Sequence, residues 1–428
     1  MWTEGPGERT SPSGHSGRGR GTVPEPGRPG HKERMRRMKR LRAAAAVLTA
    51  AALMNAGSLT ALASSPEFAR TAEEWATLQD NRLEYGEIAG LVEEYNPTVQ
   101  QNQYTYRKFR EDYGDTNDEW ADEYRRLANE IREDLYLPDS DEPGYASLMV
   151  AAATAEISAR QLEQQADNTL EDSEILRLNH EMAKQVLVQT AQNNMISWHS
   201  QLLSVQNAEK AKRLAEVQLA TAQASAGVGM GTQIDVLNAS QAVKNAEQSY
   251  ISAVSAADTA KRKLQVMLGW KADAEPEIGG IPAADLTRID RMDPAADLAR
   301  ALEMNYTLRI NKKKLKNAKH STVIATLEST IADNESRIAV SLRNAYQTAV
   351  NQKNAYLYNA ANVEVTSRTA AQMAQRFALG SASAVEKETA EIAAEQARIA
   401  LKQSEYSLFQ AMEAYDWAVN GLASAAVS

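Results

Sequence analysis

The sequence contains no cysteine and few aromatic residues. The lack of cysteine excludes disulfide bonds, thiolate metal sites and cysteine nucleophiles. Aromatic residues make up 6% of the 428 residues, and phenylalanine occurs only four times, which is little for a globular core of this size. Alanine and glutamate are abundant instead. This composition favours long helices that pack through small side chains.

Glycine and proline are absent from four long stretches, which are residues 145–226, 232–268, 295–379 and 381–420. These two residue types are the strongest local interruptions of regular structure, so we predict that each stretch is helical. A long run, a glycine turn, a shorter run and a closing glycine follow one another twice. This order predicts a tandem duplication.

Apolar residues recur every seven positions in the predicted helices, as at Val385, Ile392, Ile399 and Tyr406. A sustained seven-residue spacing is typical of left-handed coiled-coil packing. We therefore predict an all-α fold, an elongated bundle of long antiparallel coiled-coil hairpins in two tandem repeats with little or no β-structure.

The first 63 residues differ from the rest of the chain. Residues 1–34 are rich in glycine, proline, arginine and serine and are interpreted as disordered or as an upstream extension. Residues 35–63 combine a basic start, a short apolar run and an Ala-Leu-Ala sequence, which predicts a signal peptide. Without the 11 basic and 4 acidic residues of this leader, the net charge falls to −16. Such a charge argues against nucleic acid and anionic membrane surfaces as partners.

The remaining chain divides at its breaks in composition. We predict helical repeat 1 over 64–270, a linker over 271–294 and helical repeat 2 over 295–428. Repeat 1 carries an acidic insertion at about 112–143, interpreted as a helix and a loop. The Ala-Asp-Asn sequences within Gln164–Glu174 and Thr330–Ile338 predict a chain reversal in each long run, because short polar side chains favour turns and helix starts.

No catalytic, cofactor or metal site is predicted. His180, His199 and His320 lie outside metal-ligand motifs. The "GVGMG" stretch follows a predicted helix rather than a strand and has no lysine, which argues against a nucleotide loop. Asp235 and Glu386 are explained as acids in the first turn of a helix, where they favour the helix dipole. The protein is thus predicted not to be an enzyme, and a hydrolase is the least supported alternative.

The stretch "VGMGTQIDVLNA" resembles the TolC-like outer-membrane efflux protein family, which typically shows Val-Gly-Leu and then Asp-Val-Leu-x-Ala. The matching residues are Val228, Gly229, Asp235, Val236, Leu237 and Ala239, with Met230 in place of leucine. The second repeat is a looser match that keeps Arg376, Phe377, Gly380 and the acid Glu386. The doubled layout strengthens the resemblance over roughly residues 85–425.

The resemblance implies a homotrimer that forms a helical tunnel and works with a periplasmic adaptor (membrane fusion) protein and an inner-membrane transporter. It places the partner-docking tips at Val228, Gly229, Met230, Leu379, Gly380 and Ser381. The alternative is that the glycines only permit the turns, with no partner. Gly227 and Gly231 are interpreted as additional slack in the first turn.

Two departures from the family pattern make the chain a divergent member. The family inserts membrane-spanning β-strands in each repeat, whereas the nearest candidates here, Gly144–Ala152 and Ser321–Thr330, do not alternate convincingly. There is also no cysteine for a lipid anchor. Contact with a membrane is left open. The expected function is an exported duct of an efflux or type I-like secretion system in the cell envelope, at the outer membrane, in the periplasm or at the cell surface. The alternative is a structural or adhesive coiled-coil envelope protein without a pore.

Overall fold

The computed structural model describes residues 70–271 and 273–425. The predicted upstream extension and signal peptide lie outside the described residues. In chain order the helices are α1 (Ala72–Gln79), α2 (Ile88–Tyr95), α3 (Pro97–Tyr113), α4 (Asn117–Glu133), α5 (Tyr145–Asn168), α6 (Ser173–Gly227), α7 (Gln233–Met267), α8 (Leu286–Asp290), α9 (Leu298–Met304), α10 (Tyr306–Asn317), α11 (Ser321–Ala378) and α12 (Ala384–Trp417). A 3₁₀ turn spans Tyr85–Glu87, and a π-helical turn, Ala418–Leu422, follows α12.

Four long helices form one layer in the order α7–α6–α12–α11. Helices α6 and α7 form one antiparallel hairpin and α11 and α12 the other, and α6 packs against α12. Across that central contact, Arg213 pairs with Glu388 and Lys210 with Glu395, both at 2.6 Å. At about 1.5 Å per residue, the 55 residues of α6 extend roughly 80 Å. The prediction of an all-α fold with long antiparallel hairpins is confirmed.

β-structure in the described part of the chain is limited to two short parallel strands, β1 (Arg82–Leu83) and β2 (Glu277–Ile278). Leu83 is fully buried where the strands pair, so the segment after α7 is held against the segment between α1 and α2. The two segments considered above as strand candidates are helical, since they lie in α5 and α11.

The largest apolar side chains are concentrated at the end of the layer that lies away from the α6–α7 turn. Here the shorter helices α2, α9 and α10 pack onto the long hairpins. Fully buried members of this core include Leu264, Leu308, Leu342, Leu408 and Met412. Further along the hairpins the buried residues are mostly alanines, such as Ala215, Ala257 and Ala394. Small residues let neighbouring helices approach closely over the rest of their length.

In both halves an asparagine that caps one helix also donates hydrogen bonds to the end of another helix of this core. Asn96 caps α3 and donates from Nδ2 to the Met267 carbonyl at 2.8 Å, at the end of α7. Asn305 caps α10 and donates to the carbonyls of Gly421 and Ala423 at 3.3 and 2.9 Å, just after α12. Asn96 thus holds the end of α7 against the start of α3, and Asn305 holds the end of α12 against the start of α10. The domain boundaries given above stay a prediction.

The expected reversals have different outcomes. The first segment holds a break between helices, because α5 ends at Asn168 and α6 begins at Ser173, but the chain reverses before α5, where α4 and α5 pack as an antiparallel pair. The second is wrong, because Thr330–Ile338 lies inside the continuous helix α11. Asn334 is buried there, and its amide faces the carbonyls of Thr330 and Ala425, so a polar residue that favours turns serves as a tertiary contact. The chain reverses earlier, at Ala318–His320, and an ion pair between Lys312 and Glu335 joins α10 to α11.

Candidate functional site

The turn between α6 and α7 follows a Schellman motif. The Met230 N–H donates to the Ser225 carbonyl at 2.9 Å, and the Gly229 N–H donates to the Ala226 carbonyl at 3.1 Å. Gly229 has a φ of 78°, the left-handed conformation that this motif requires at the position after the helix cap. The motif satisfies carbonyls at the end of α6 that have no partner within the helix.

Helix α7 begins immediately afterwards with a capping box. The Asp235 N–H donates to the Thr232 hydroxyl at 3.2 Å, and the Thr232 N–H donates to the Asp235 carboxylate at 2.8 Å. The side chain of each residue thus accepts a hydrogen bond from the backbone N–H of the other, a donor that has no partner within the helix. Reversal of the chain takes only the residues between Val228, the C-cap of α6, and Thr232, the N-cap of α7.

The turn between α11 and α12 repeats this construction. The Ser381 N–H donates to the Arg376 carbonyl at 2.8 Å, the Gly380 N–H donates to the Phe377 carbonyl at 2.9 Å, and Gly380 has a φ of 73°. Ser383 and Glu386 form the capping box of α12. In both turns the cap follows the glycine by three residues and the acid follows the cap by three. The sequence alignment of Gly229 with Gly380 and of Asp235 with Glu386 therefore corresponds to the same turn geometry.

The two acids have a structural role at these helix starts. Hydrogen bonds from the Thr232 hydroxyl and backbone lower the pKa of Asp235, and bonds from the Ser383 backbone and hydroxyl lower the pKa of Glu386. A donor stabilises the ionised carboxylate, so both acids are charged at neutral pH. This agrees with their interpretation as helix-start acids.

Apolar side chains project from both turns into solvent. The exposed fractions are 72% for Val228, 85% for Met230 and 82% for Leu379. Ser381 occupies the position equivalent to Met230, but its hydroxyl donates to the Arg376 carbonyl at 3.0 Å and so belongs to the turn itself. Of the six predicted docking residues, Val228, Met230 and Leu379 thus offer apolar surface, and Gly229, Gly380 and Ser381 shape the backbone that presents it.

The glycines of the first turn have different roles. A side chain at Gly229 would meet nothing within 4 Å, so only its backbone conformation requires glycine. Gly231 lies close to the end of α6, where a Cβ would come within 3.1 Å of the Ser225 Cβ and 3.2 Å of the Ala226 nitrogen. Its N–H also donates to the Ser225 carbonyl. The interpretation of Gly231 as slack is therefore wrong, because the residue is part of a close backbone contact.

Two further apolar residues next to the first turn were not predicted from the sequence as docking residues. Ile234 and Leu237 lie in the first turns of α7, and each is 68% exposed. At the second turn, Phe377 is 42% exposed and the Lys387 ammonium lies 5.6 Å from its ring centre. A spacing of three residues at a helix start is the signal that could have found Ile234 and Leu237. Their outward direction depends on which face α6 covers. We call the residues around both turns, Val228, Met230, Ile234, Leu237, Phe377 and Leu379, the tip surface.

Two histidines, His180 and His199, lie in the packing between helices, and His320 is exposed. The His199 Nε2 lies 2.8 Å from the Gly279 carbonyl, and burial lowers the pKa of His199. Burial likewise lowers the pKa of His180, whose ring packs edge-on against Tyr106. His320 precedes α11 as its N-cap residue. Over 70–271 and 273–425, no group of three or more histidine, aspartate or glutamate side chains is arranged to hold a metal ion.

Among the described helices, none combines the length and the apolar character that a membrane span requires.

No model of a protein family matches the chain, and no curated protein matches its sequence. Solved structures to which the chain is similar include outer-membrane channels. With the outer-membrane channel OprN, the chain shares 13% identity over 84% of its own length and 98% of that chain, at a TM-score of 0.46. With the outer membrane protein VceC of Vibrio cholerae, the chain shares 11% identity over 82% of its own length and 99% of that chain, at a TM-score of 0.45. With the MtrE outer membrane channel of Neisseria gonorrhoeae, the chain shares 12% identity over 79% of its own length and 89% of that chain, at a TM-score of 0.43.

A likeness at such low identity concerns the fold, and function follows from the residues of a site. The structures reported above include outer-membrane channels, the class of protein that the sequence resemblance names.

Proposed function

We propose that this protein is the exported duct of an efflux or type I-like secretion assembly, that three copies enclose its path, and that an adaptor protein docks at the tip surface. The observation that carries the proposal is the pair of matched turns. Both combine a left-handed glycine, a capping box and at least one apolar side chain more than 80% exposed. A turn that served only to reverse the chain would have no need of exposed apolar side chains.

The tip surface suits a helical partner. Rigid backbone presents Val228, Met230 and Leu379, because each turn is closed by hydrogen bonds on both sides. Apolar side chains held in this way lose little conformational freedom on binding. An amphipathic helical hairpin whose apolar residues contact these side chains is the expected form of the adaptor.

The helical layer supports assembly of several copies. It ends in two edge helices, α7 and α11, each packed within the layer mainly against its own hairpin partner. A groove of 660 Å³ runs along α7 and is lined by Gln201, Ile251, Ser255, Thr259 and Lys263, among others. On α11, Leu357, Tyr358 and Val365 are exposed. An α7 edge that packs against an α11 edge of the next copy makes a head-to-tail contact, which closes into a ring when the rotation between copies is a whole fraction of a turn.

The mechanism of such a duct is geometric. Packed helices separate the enclosed path from lipid and from other water-soluble molecules. The tips join that path to the adaptor and, through the adaptor, to an inner-membrane transporter. The chain then performs no chemical step itself. The net negative charge of the residues after 63 favours a path lined by polar side chains.

Cross-linking tests the docking step. Because the chain has no cysteine, Met230→Cys places a single thiol on the tip surface, and Gln241→Cys is a matched control on the exposed side of α7. A bifunctional thiol–amine reagent, applied to cells that express the adaptor and transporter of the same genome, is expected to yield an adaptor adduct from Met230→Cys only. Sedimentation of the purified protein is expected to give a trimer.

The opposite results separate the alternatives. A trimer without an adduct would remove the docking role and leave the glycines as turn formers. A monomer without an adduct would favour the structural or adhesive envelope protein, which needs the hairpins only as a spacer.

A further inference from the structure

Within the layer, the two hairpins meet along one contact, between the long helix α6 of the first hairpin and the short helix α12 of the second. These two helices run antiparallel. Arg213 pairs with Glu388 near the tips, and the Gln410 amide donates to the Asn193 Oδ1 at 3.0 Å farther from them. One long and one short helix, from different repeats, thus make the contact.

Because the two repeats are built alike, this contact has a counterpart. When Gly229 is aligned with Gly380, α6 corresponds to α11 and α7 corresponds to α12. All four helices are continuous, so the correspondence holds along their length without an insertion. The counterpart of the α6–α12 contact is a contact between α11 and α7. Within one chain α6 and α12 lie between these two helices, so only α11 of one copy and α7 of another can make it.

The groove along α7 lies where the counterpart requires it. On α12, Gln403 donates to the Ser204 hydroxyl at 3.5 Å, and Gln410 lies one heptad further along the same face. At the same distances from the glycine turn, α7 carries Ser252 and Thr259, and both line the groove. The face of α12 that α6 covers therefore corresponds to a face of α7 that is open.

The matching edge of α11 is open as well and has little charge. Over residues 344–363 the one charged side chain, Lys353, pairs with Asp290. The two α6 residues that hydrogen-bond to α12 have their counterparts at Asn344 and Ala355, and both are exposed. Such a face can be buried against another helix without leaving an unpaired charge.

The charges near the tips distinguish the two contacts. Within the chain, α6 supplies Lys210 and Arg213, and α12 supplies the acids that pair with them. On α11 the place of Arg213 is taken by Glu364. On α7 the place of Glu395, the partner of Lys210, is taken by Lys244. Glu364 is then three residues, about 4.5 Å of helix, from the place opposite Lys244, which is within reach of a lysine side chain.

This exchange of sign selects the partner helix. An α7–α11 contact again offers a base on one helix and an acid on the other. In the same register, α7 on the α6 of another copy would set Lys244 against Lys210, and α11 on another α12 would set Glu364 against Glu388. Like charges placed together disfavour these two contacts.

We propose that α7 of one copy packs on α11 of the next in the register in which α12 packs on α6 within the chain. The contact rests on the proposed assembly of copies and gives it a partner helix, an antiparallel direction and a register. Thr259 then lies beside Asn344 of the next copy, and Ser252 lies beside Ala355. Each copy has one edge of each kind, so the contact is head-to-tail and alternates with the contact inside the chain.

Paired cysteines test the register in the full chain, which has no cysteine of its own. Thr259→Cys/Asn344→Cys and Ser252→Cys/Ala355→Cys each place one thiol on α7 and one on α11. Because α6 and α12 separate these positions within a chain, a short bis-maleimide can join them only between copies. Both variants are expected to give cross-linked chains on denaturing gels, and each single-cysteine variant is expected to give none.

Two further variants are matched controls. Asn193→Cys/Gln410→Cys places the same pair in the contact inside the chain, where the reagent should consume both thiols and leave single chains. Thr259→Cys/Asn351→Cys moves one thiol seven residues, about 10 Å, along α11 and should give no cross-link. A cross-link in this displaced variant, without one in Thr259→Cys/Asn344→Cys, would overturn the register.

The outcomes also separate this contact from the three-copy duct. A sedimenting trimer in which the control inside the chain reacts and neither pair between copies does would overturn the contact and leave the duct standing. A monomer without cross-links would remove both. Cross-linked chains that end at three would support both, whereas a ladder that continues beyond three would support the contact while the three-copy duct fails.

Discussion

At the scale of single residues, glycines with similar backbone angles have different costs of replacement. Gly380 and Gly229 stand in open turns, where an added Cβ meets nothing within 4 Å. Gly421 has a φ of 114°, and its Cβ would come 2.6 Å from the Met304 carbonyl oxygen. Gly269 stands equally close to Tyr95 at the corresponding place of the first half. Gly229 and Gly380 are needed only for the backbone conformation of the turn, whereas Gly269 and Gly421 are also needed for close packing.

The difference predicts unequal effects of alanine. Gly380→Ala should cost about 1 kcal/mol of unfolding free energy, from left-handed strain alone. Gly421→Ala should cost roughly 3 kcal/mol or more, because overpacking against rigid backbone adds to the strain. Urea unfolding followed by circular dichroism compares the two variants. Equal losses would mean that the contact between Gly421 and Met304 is looser than described.

The capping threonine predicts a change in acidity. Thr232→Ala removes the hydroxyl that bonds to Asp235 at 2.7 Å, so the pKa of Asp235 should rise toward its ordinary value. A lowered pKa means that this carboxylate stabilises the folded turn above about pH 3.8 and loses that effect as the pH falls through its folded pKa. Carboxyl-carbon NMR titration measures the midpoint. Ser383→Ala should act in the same way on Glu386 and leave Asp235 unchanged, and a common shift would indicate a general unfolding.

At the scale of elements, helix ends followed from glycine and proline, whereas the contacts between elements did not. The ends of α6 and α11 lie at the glycine turns that the sequence predicted. The continuity of α11 through Asn334 could not be predicted, because the same asparagine would suit a turn if its amide were not engaged in the core. The identity of a polar side chain indicates its local preference for a turn, and its contacts in the folded protein determine whether a turn forms there.

The hydrogen bonds of the buried Asn305 predict a specific loss of stability when this residue is replaced. Asn305→Asp keeps the oxygen that caps α10 but places a negative charge beside the Gly421 and Ala423 carbonyls, where Asn305 is 1% exposed. The lost hydrogen bonds and buried charge should cost about 3 kcal/mol. Urea unfolding measures the loss. Asn238→Asp, on the exposed face of α7, is the control and should change stability by less than about 0.5 kcal/mol.

At the scale of the whole molecule, the layer of helices α7–α6–α12–α11 leaves its two edges and its tips for different contacts. The α7 groove beside Ile251 belongs to an edge, and the side chain of Met230 belongs to the tip surface. The two kinds of contact can therefore be disturbed separately.

Exchange of one apolar residue at each place should separate assembly from docking. Ile251→Glu is expected to shift the sedimenting species from trimer to monomer, because a carboxylate would be buried between edges. Met230→Glu should leave the trimer intact and remove the adaptor adduct, measured with a cysteine at Val228. Loss of the trimer in Met230→Glu would place the tips in the copy-to-copy contact and contradict this division.

The sequence alone determined the helical class, the two-part plan and the positions of both hairpin turns. These features depend on local causes, since glycine and proline act on the backbone next to them and a seven-residue apolar spacing marks one face of one helix. Only the tertiary structure decided that α11 is unbroken and that Gly231 is in close contact with the end of α6. Each of these depends on which distant side chains cover a residue, and burial of that kind is a property of the packed helices rather than of any one segment.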